Sequence, residues 1–238
     1  MRQTERLFLY NKFTLLVKRK FIQTADGSTS IYLEEMDEHY HSKHGAIVES
    51  NHIFIRNGLL SQSNKREISV FEVGMGTGLN VMTTLKAAAE HSLKLDYHAV
   101  EAFPIKEEEL ELINFSSLLE MDQELFLKIH TSPWEIENQL QSNFKLTKIN
   151  SKLGELELGK EQFDVVYFDA FAPEKQEEMW TEDIFQKMFQ ALKPEGILVT
   201  YCVKGVIRRR LQSVGFRVEK LKGPEGGKRE MCRAIKDE

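Results

Sequence analysis

The sequence is poor in cysteine, with only Cys202 and Cys232 among its 238 residues. Two cysteines cannot build the disulfide framework of a small secreted domain, and their spacing matches no zinc motif. The neighbouring histidines His39, His41 and His44 also lack the partner spacing of a metal site. The sequence therefore predicts no bound metal, and a reducing cytoplasmic location is the default expectation.

Long apolar runs are absent as well. No stretch approaches the ~20 apolar residues that a membrane-spanning helix needs. The first residues, MRQTERLFLYNKF, lack the apolar core and cleavage site of a signal peptide. No membrane partner is expected. With 41% hydrophobic and 29% charged residues, the composition is that of a globular protein.

Lysines and arginines are outnumbered by acidic residues, 32 to 37, so the formal net charge is −5. That total argues mildly against a nucleic-acid binder, but the distribution is uneven. Residues 201–236 carry eleven lysines and arginines against three glutamates. Because local potential and not total charge attracts phosphates, this end of the chain can meet RNA.

Strand-like and helical stretches alternate from residue 68 onward. The predicted strands are ISVFEVG, LKLDYHAVEAF, FKLTKIN, FDVVYFDAF and ILVTYC. Stretches of helical spacing follow the first, second and fourth of them. This order predicts an α/β fold, a parallel sheet with helices on both faces. FRVEKLKG and KREMCRAIK, joined by GPEGG, predict a terminal antiparallel hairpin.

The first part of the chain has a different sequence pattern. LFLYNKFTLLVKR, STSIYLEE and the end of EHYHSKHGAIVESNHIFIRNGL are strand-like, with ADGS as a turn. We therefore expect a small β-rich extension over residues 1–66 and a catalytic domain over residues 67–238. No internal repeat or low-complexity segment accompanies this division.

The stretch FEVGMGTGLN places Gly74, Gly76 and Gly78 between a strand and a helix. Glycines allow positive φ and let a ligand approach the backbone, and a helix N-terminus offers unpaired N–H groups. A dinucleotide loop would read GxGxxG, whereas this loop reads GxGxG. The spacing favours an adenosylmethionine loop, in which Glu72 could pair with the methionine ammonium. A glycine-rich structural turn is the alternative interpretation.

Two further strand ends carry acids. Glu101, in VEAFP, follows the next strand, where a carboxylate can accept both hydroxyls of a ribose. Asp169, in YFDAFAPEKQEEMW, follows four apolar or aromatic residues. A charge next to a buried run is costly, so this carboxylate must either be paired with another group or have a function. A carboxylate there can accept a proton from a reacting amine. The alternatives are a solvated strand end for Glu101 and a loop cap for Asp169.

Together, GMGTGLN, VEAFP, FDAFAPEKQEEMW, VIRRRLQSVGF and GGKREM resemble the methyltransferase domain of the MnmC tRNA-modification enzymes, over about residues 30–236. The resemblance implies a Rossmann-like class I methyltransferase that moves a methyl group from S-adenosylmethionine to the 5-aminomethyl amine of a wobble uridine. The partner implied is the anticodon stem-loop of tRNA. The chain resembles the form without the fused FAD oxidoreductase domain.

By the same resemblance, Asp169 faces the target amine. The implied cofactor residues are Glu72, Gly74, Gly76, Gly78, Glu101 and Phe103. The candidate tRNA-binding residues are Phe171, Lys175, Arg208, Arg209, Lys228 and Arg229. Phe171 and Trp180 could stack on a flipped base, although core packing is the alternative for both.

The sequence departs from the family pattern at two places. Ala170 stands where the family usually has glycine. Lys152 lies near the usual position of an acidic residue, so we expect adenine recognition to differ here. Two other functions remain open. One is a class I methyltransferase that acts on a small amine or a protein, and the other is a non-catalytic RNA-binding relative.

Overall fold

The computed structural model describes residues 18–226 and 229–237. They form two sheets. The larger has eight strands in the order β10-β11-β9-β8-β4-β5-β7-β6, and the smaller has three in the order β1-β2-β3. The strands of the large sheet are β4 Glu67–Val73, β5 Lys94–Val100, β6 Glu137–Gln141, β7 Phe144–Ile149, β8 Phe163–Phe168, β9 Leu192–Thr200, β10 Arg217–Lys222 and β11 Glu230–Ile235.

Five strands at the centre of the large sheet, β7, β5, β4, β8 and β9, run parallel. Antiparallel strands close both edges, β6 on one side and the β10–β11 hairpin on the other. The α/β fold with a terminal hairpin is thus confirmed. The edge strand β6 was not predicted, since its polar sequence ENQLQ shows no apolar alternation.

Helices cover both faces of the large sheet. They are α1 Ala46–Ser50, α2 Leu79–Glu90, α3 Phe115–Leu119, α4 Gln123–Thr131, α5 Glu182–Ala191 and α6 Gly205–Ser213. Successive residues of a strand point to opposite faces. Val165 and Tyr167 of β8 accordingly join the core under α2 and α4, whereas Val166 and Phe168 join the core under α5 and α6. None of the helices in the described ranges is long and apolar enough to cross a membrane.

The small sheet consists of β1 Arg19–Gln23, β2 Thr29–Leu33 and β3 Glu38–His39. Ile31 and Leu33 of β2 are buried and share one apolar core with the large sheet. The β-rich character of this part is confirmed for residues 19–39. Most of the predicted strand LFLYNKFTLLVKR lies outside the described residues, and the domain division at residue 66 stays a prediction.

The predicted strand at HIFIRN is wrong. Residues Asn51–Arg56 form a π-helix that continues α1, followed by a 3₁₀ turn at Leu59–Gln62. Ile53, Phe54 and Ile55 are all buried, so this short apolar run is covered on several sides. A run of that kind does not reveal its periodicity, because a buried helix and a buried strand look alike over three residues.

Candidate active site

A cavity of about 840 Å³ opens beyond the carboxyl ends of β4, β5 and β8. This is where open α/β sheets bind ligands. Its walls combine the glycine loop, the tip of β5, the segment 151–155, the loop after β8 and parts of the small sheet. The candidate catalytic, cofactor-binding and tRNA-binding residues that line it are Gly74, Gly76, Glu101, Phe103, Asp169 and Phe171.

The glycine loop has the backbone that its sequence requires. Gly74, Gly76 and Gly78 have φ values of 85°, 49° and 74°, a region that side chains rarely adopt. A Cβ at Gly74 would lie 2.8 Å from the Asp169 carbonyl oxygen, so this glycine also lets β8 approach the loop. Gly78 faces away from the cavity, because a Cβ there would meet His130 Nε2 at 2.9 Å. It shapes the start of α2 and does not line the ligand space.

Glu101 is fixed at the tip of β5. Its carboxylate accepts hydrogen bonds from the backbone N–H of Gly76 at 2.9 Å and of Phe103 at 2.7 Å. A carboxylate has about four acceptor positions, so two remain for a ligand in the cavity. This geometry fits the ribose hydroxyls of an adenosyl group, and the bare loop beside it leaves room for the rest of that group.

Asp169 lies at the junction of the large cavity and a small chamber of about 20 Å³. Its backbone N–H donates to the Val73 carbonyl at 3.1 Å, which ties the end of β8 to the end of β4, directly before the glycine loop. Its Oδ2 accepts a hydrogen bond of 3.0 Å from Asn80 Nδ2. The carboxylate therefore stands beside the glycine loop in a position where it can contact a ligand.

Glu72 does not lie where the sequence analysis placed it. Strand alternation turns its side chain under α2, where it is 0% exposed and does not line the cavity. Its carboxyl accepts from Asn80 Nδ2 at 2.9 Å and from the Tyr97 hydroxyl at 2.9 Å. Burial raises the pKa of Glu72 well above its ordinary value, against the lowering effect of the Asn80 hydrogen bond. A direct contact with the methionine ammonium does not fit this position.

The small sheet supplies the roof of the cavity. The Tyr40 ring lies over Gly76, where an added Cβ would meet it at 3.2 Å, and burial raises its pKa to about 12. His41 is held near Thr77, with 3.1 Å between Nε2 and Oγ1, and burial lowers its pKa to about 4. Arg19 reaches the tip of β5, donating to the Phe103 carbonyl at 2.7 Å.

Two aromatic residues of the loop after β8 have different surroundings. Phe171 lines the cavity, whereas Trp180 is fully buried and donates its indole N–H to the Phe171 carbonyl at 2.8 Å. Trp180 therefore supports the loop from below and is not available to stack on a base. Lys175 lies outside the cavity lining and points toward Asp37, with 3.9 Å between Nζ and Oδ2.

The described basic residues that are candidates for tRNA binding do not line the cavity. Of the three arginines on α6, Arg209 is exposed, whereas Arg208 binds the Val203 carbonyl and Arg210 binds the Trp180 carbonyl. Arg229 is exposed in the β10–β11 connection, and Lys228 lies outside the described residues. Because β11 runs antiparallel to β9, this connection lies at the same edge of the sheet as the cavity.

Among the cavity residues that the sequence analysis did not name are Asn80, Tyr40 and Arg19. Asn80 stands inside the quoted motif GMGTGLN, so its position one residue into α2 was a usable signal. Tyr40 and Arg19 carried no comparable signal, because only the folding of the small sheet over the loop brings them there. In the described ranges no group of three histidine, cysteine or acidic residues is arranged to hold a metal ion.

Comparison with known proteins shows the family of the chain. Residues 115–237, more than half of the chain, match the S-adenosyl-L-methionine-dependent methyltransferase family. The chain belongs to this family. S-adenosylmethionine is therefore its cofactor, in agreement with the bare glycine loop and the acceptor positions of Glu101.

Several relatives of this methyltransferase carry the same description. The bifunctional protein MnmC of tRNA 5-methylaminomethyl-2-thiouridine biosynthesis from Pseudoalteromonas atlantica is 28% identical over 93% of this chain and 34% of the relative. The protein of that description from Leptospira interrogans is 32% identical over 83% of this chain and 32% of the relative. The chain thus spans about a third of the length of these relatives.

A solved structure agrees over nearly the whole chain. The crystal structure of MnmC2 from Aquifex aeolicus superposes with a TM-score of 0.70 at 25% identity, covering 98% of this chain and 78% of that one. The Rossmann-like methyltransferase fold predicted from the sequence is confirmed.

Proposed function

We propose that this methyltransferase acts on the primary amine of a 5-aminomethyl group on the wobble uridine of tRNA and produces 5-methylaminomethyluridine. The observation that carries the proposal is the position of Asp169, a carboxylate beside the cofactor loop and open to the cavity. The names of the relatives, which concern 5-methylaminomethyl-2-thiouridine in tRNA, support this choice of substrate.

The cofactor supplies an electrophilic methyl group when bound. We assign Glu101 to its ribose hydroxyls, and Gly74 and Gly76 to the stretch of backbone that it approaches. Phe103, at the same strand tip, offers an apolar surface, since its side chain is 40% exposed beside the cavity. Lys152 lies with Leu153 in the wall where the adenine is expected.

The amine must be neutral to act as a nucleophile. A primary alkylamine has a pKa like that of lysine, ~10.4, so the substrate arrives mostly as an ammonium ion. Asp169 can attract this ammonium, take its proton and aim the nitrogen lone pair at the methyl group. Phe171, two residues after Asp169, lines the cavity, and we assign it to packing on the uracil ring.

The RNA-binding surface is assigned to the edge of the sheet that carries the cavity. The expected partner is the anticodon stem-loop. The candidate phosphate contacts on this surface are Lys175, Arg208, Arg209, Lys228 and Arg229. Arg209 and Arg229 are exposed and lie on elements that begin or turn at this edge. A tRNA substrate also implies the cytoplasmic location proposed from the cysteine content.

The test is nucleoside mass spectrometry of tRNA bearing aminomethyluridine, incubated with S-adenosylmethionine and the protein. A gain of one methyl group on that nucleoside, absent without protein, supports the proposal. Methylation of free amines or of protein, with the tRNA unchanged, would assign the chain to another substrate class. Cofactor binding without turnover on any tRNA would support the non-catalytic alternative.

A further inference from the structure

Asn80 occupies the centre of a buried polar network beside the reacting position. Its Nδ2 donates to Glu72 Oε1 at 2.9 Å and to Asp169 Oδ2 at 3.0 Å, and its Oδ1 accepts from the Ser50 hydroxyl at 2.6 Å. Both amide protons and the carbonyl oxygen are therefore used. Since the residue is only 5% exposed, this pattern allows the amide a single orientation.

The network is anchored on its far side. Glu72 is held by the Tyr97 hydroxyl at 2.9 Å, and Ser50 by the Thr83 hydroxyl at 2.9 Å. These partners lie on α1, α2, β4 and β5. Four elements therefore hold the Asn80 amide in the orientation in which it donates to Asp169. Only the last contact leads toward the cavity, because Asp169 lines it and Glu72 does not.

We propose that Asn80 is the positioning residue of Asp169, and that Glu72 anchors the Asn80 amide instead of binding the cofactor. Asn80 holds one carboxylate oxygen of Asp169 and so fixes the direction of the other. This inference rests on the proposed function, in which Asp169 meets the amine. A hydrogen bond donated to a carboxylate also favours its charged form, which is the form that can accept the amine proton.

Other titratable groups face Asp169 from the elements around it. Glu72 lies across the Asn80 amide. The side chains that share the small chamber with Asp169 are Tyr40, His41, Glu49 and Tyr201. None of these residues is replaced in the Asn80 variants, so a displaced Asp169 titration in Asn80→Ala reports the loss of the amide.

The experiment compares Asn80→Ala and Asn80→Asp with the unmodified enzyme. Asn143→Asp is the matched control, since Asn143 is half-buried, donates to the Leu93 carbonyl at 2.9 Å and precedes β7 at the opposite edge of the sheet. We expect kcat on aminomethyl-bearing tRNA to fall roughly tenfold to a hundredfold in both Asn80 variants. The affinity for S-adenosylhomocysteine should stay within about threefold, and the control should match the unmodified enzyme.

The pH dependence separates positioning from a general structural role. Loss of the donor should move the acidic limb of kcat upward by roughly one pH unit, and further in Asn80→Asp, which adds a charge and is nearly isosteric. The same displacement should appear in the ¹³C titration of the Asp169 carboxyl, measured without cofactor or RNA. An equal loss of kcat with both titrations unmoved would overturn the proposal, as would a collapse of cofactor affinity with kcat retained.

The ¹³C titration also separates this inference from the proposed function. If the protein methylates no tRNA, the proposed function fails, but a displaced Asp169 titration in the variants still demonstrates the coupling to Asn80. If tRNA is methylated and the titration stays in place, the function stands and the coupling fails.

Discussion

The Tyr40 ring packs edge-on against the Phe171 ring, with centroids 5.1 Å apart and planes at 81°. One residue follows β3 of the small sheet, and the other follows Asp169 at the end of β8. The pair joins the part of the chain before residue 66 to the loop that carries the candidate catalytic acid. The small sheet is therefore a wall of the cavity, and its aromatic residues help to shape the ligand space.

The first prediction concerns this pair. Tyr40→Ala should weaken the binding of S-adenosylhomocysteine about threefold to tenfold, because an aromatic pair is worth ~0.5–1.5 kcal/mol beyond the area it buries. Tyr40→Phe keeps the ring and serves as the control. Titration calorimetry measures both variants. Equal losses in the two would show that the hydroxyl, and not the ring, supports the site.

The second prediction tests the close approach at Gly74. Gly74→Ala forces a side chain into a left-handed backbone and places Cβ 2.8 Å from the Asp169 carbonyl oxygen. A cost of about 1–2 kcal/mol should lower Tm by roughly 2–8 °C. We also expect weaker cofactor binding, because the loop or the end of β8 must move.

Gly154 offers a matched control for that substitution. It lines the same cavity, but an added Cβ there meets no atom within 4 Å. Gly154→Ala should leave Tm nearly unchanged by differential scanning fluorimetry. A Gly74→Ala protein as stable as Gly154→Ala would mean that the loop tolerates displacement.

Much of this site could be predicted from the sequence, because local rules dictate it. The three glycines follow a strand and precede a helix, and their positive φ values are what such a turn requires. Glu101 and Asp169 follow apolar runs, and the carboxyl ends of neighbouring parallel strands meet at one edge. These residues were named from the sequence, and all but Gly78 line the cavity.

The rest depends on contacts between distant segments. Glu72 belongs to the same motif, but the alternation of β4 turns it toward Tyr97, and only the packing of β5 places Tyr97 there. Tyr40 reaches Gly76 because the small sheet folds back over the loop. Neither arrangement can be predicted from the spacing of residues within a motif. A short motif therefore cannot distinguish a cofactor ligand from a buried residue that anchors the network.

The third prediction addresses RNA binding. Replacing Arg209 and Arg229 with Ala should raise the Kd for tRNA and reduce the steepness of its salt dependence, since each lost phosphate contact removes about one counterion from the slope. Arg217→Ala is the control, because Arg217 begins β10 at the opposite edge and pairs with Glu219 and Asp237. Unchanged affinity in the double variant would move the RNA-binding face elsewhere, and residues 1–66 would be the next candidate.

The fourth prediction concerns His130. Burial, with a further contribution from the charge of Lys148, lowers the pKa of this histidine to about 4. The folded protein keeps this histidine neutral, whereas the unfolded chain takes up a proton below about pH 6.5. Stability should therefore fall as pH drops from about 6.5 toward 4. His130→Gln should make that fall shallower by about 2 kcal/mol at pH 5, or roughly 4–8 °C in Tm.

Thermal melts at pH 7, 6 and 5 measure this effect. His44→Gln is the control, since His44 is exposed and the same substitution there tests the loss of a histidine in general. Parallel pH profiles for the unmodified protein and His130→Gln would show that other groups, such as the partly buried His41, carry the acid sensitivity.

The last prediction concerns Asp169 itself. Asp169→Asn keeps the shape of the side chain and an oxygen that can accept from Asn80, but it can neither take a proton nor balance an ammonium ion. Turnover should fall by about 10²–10⁴-fold, the usual cost of losing a positioned acid or base. Affinity for S-adenosylhomocysteine and Tm should change little, because Glu101 and the glycine loop are untouched.

The pH–rate profile on aminomethyl-bearing tRNA gives a second readout for Asp169→Asn. Without the carboxylate, activity depends on the amine that is already neutral in solution, so the pH optimum should move upward toward the amine pKa of ~10.4. Near-normal turnover of the variant across this range would show that Asp169 only caps the loop after β8. A collapse of cofactor binding would instead place Asp169 in the cofactor site, and the proton of the amine would then have to leave through another group of the cavity wall.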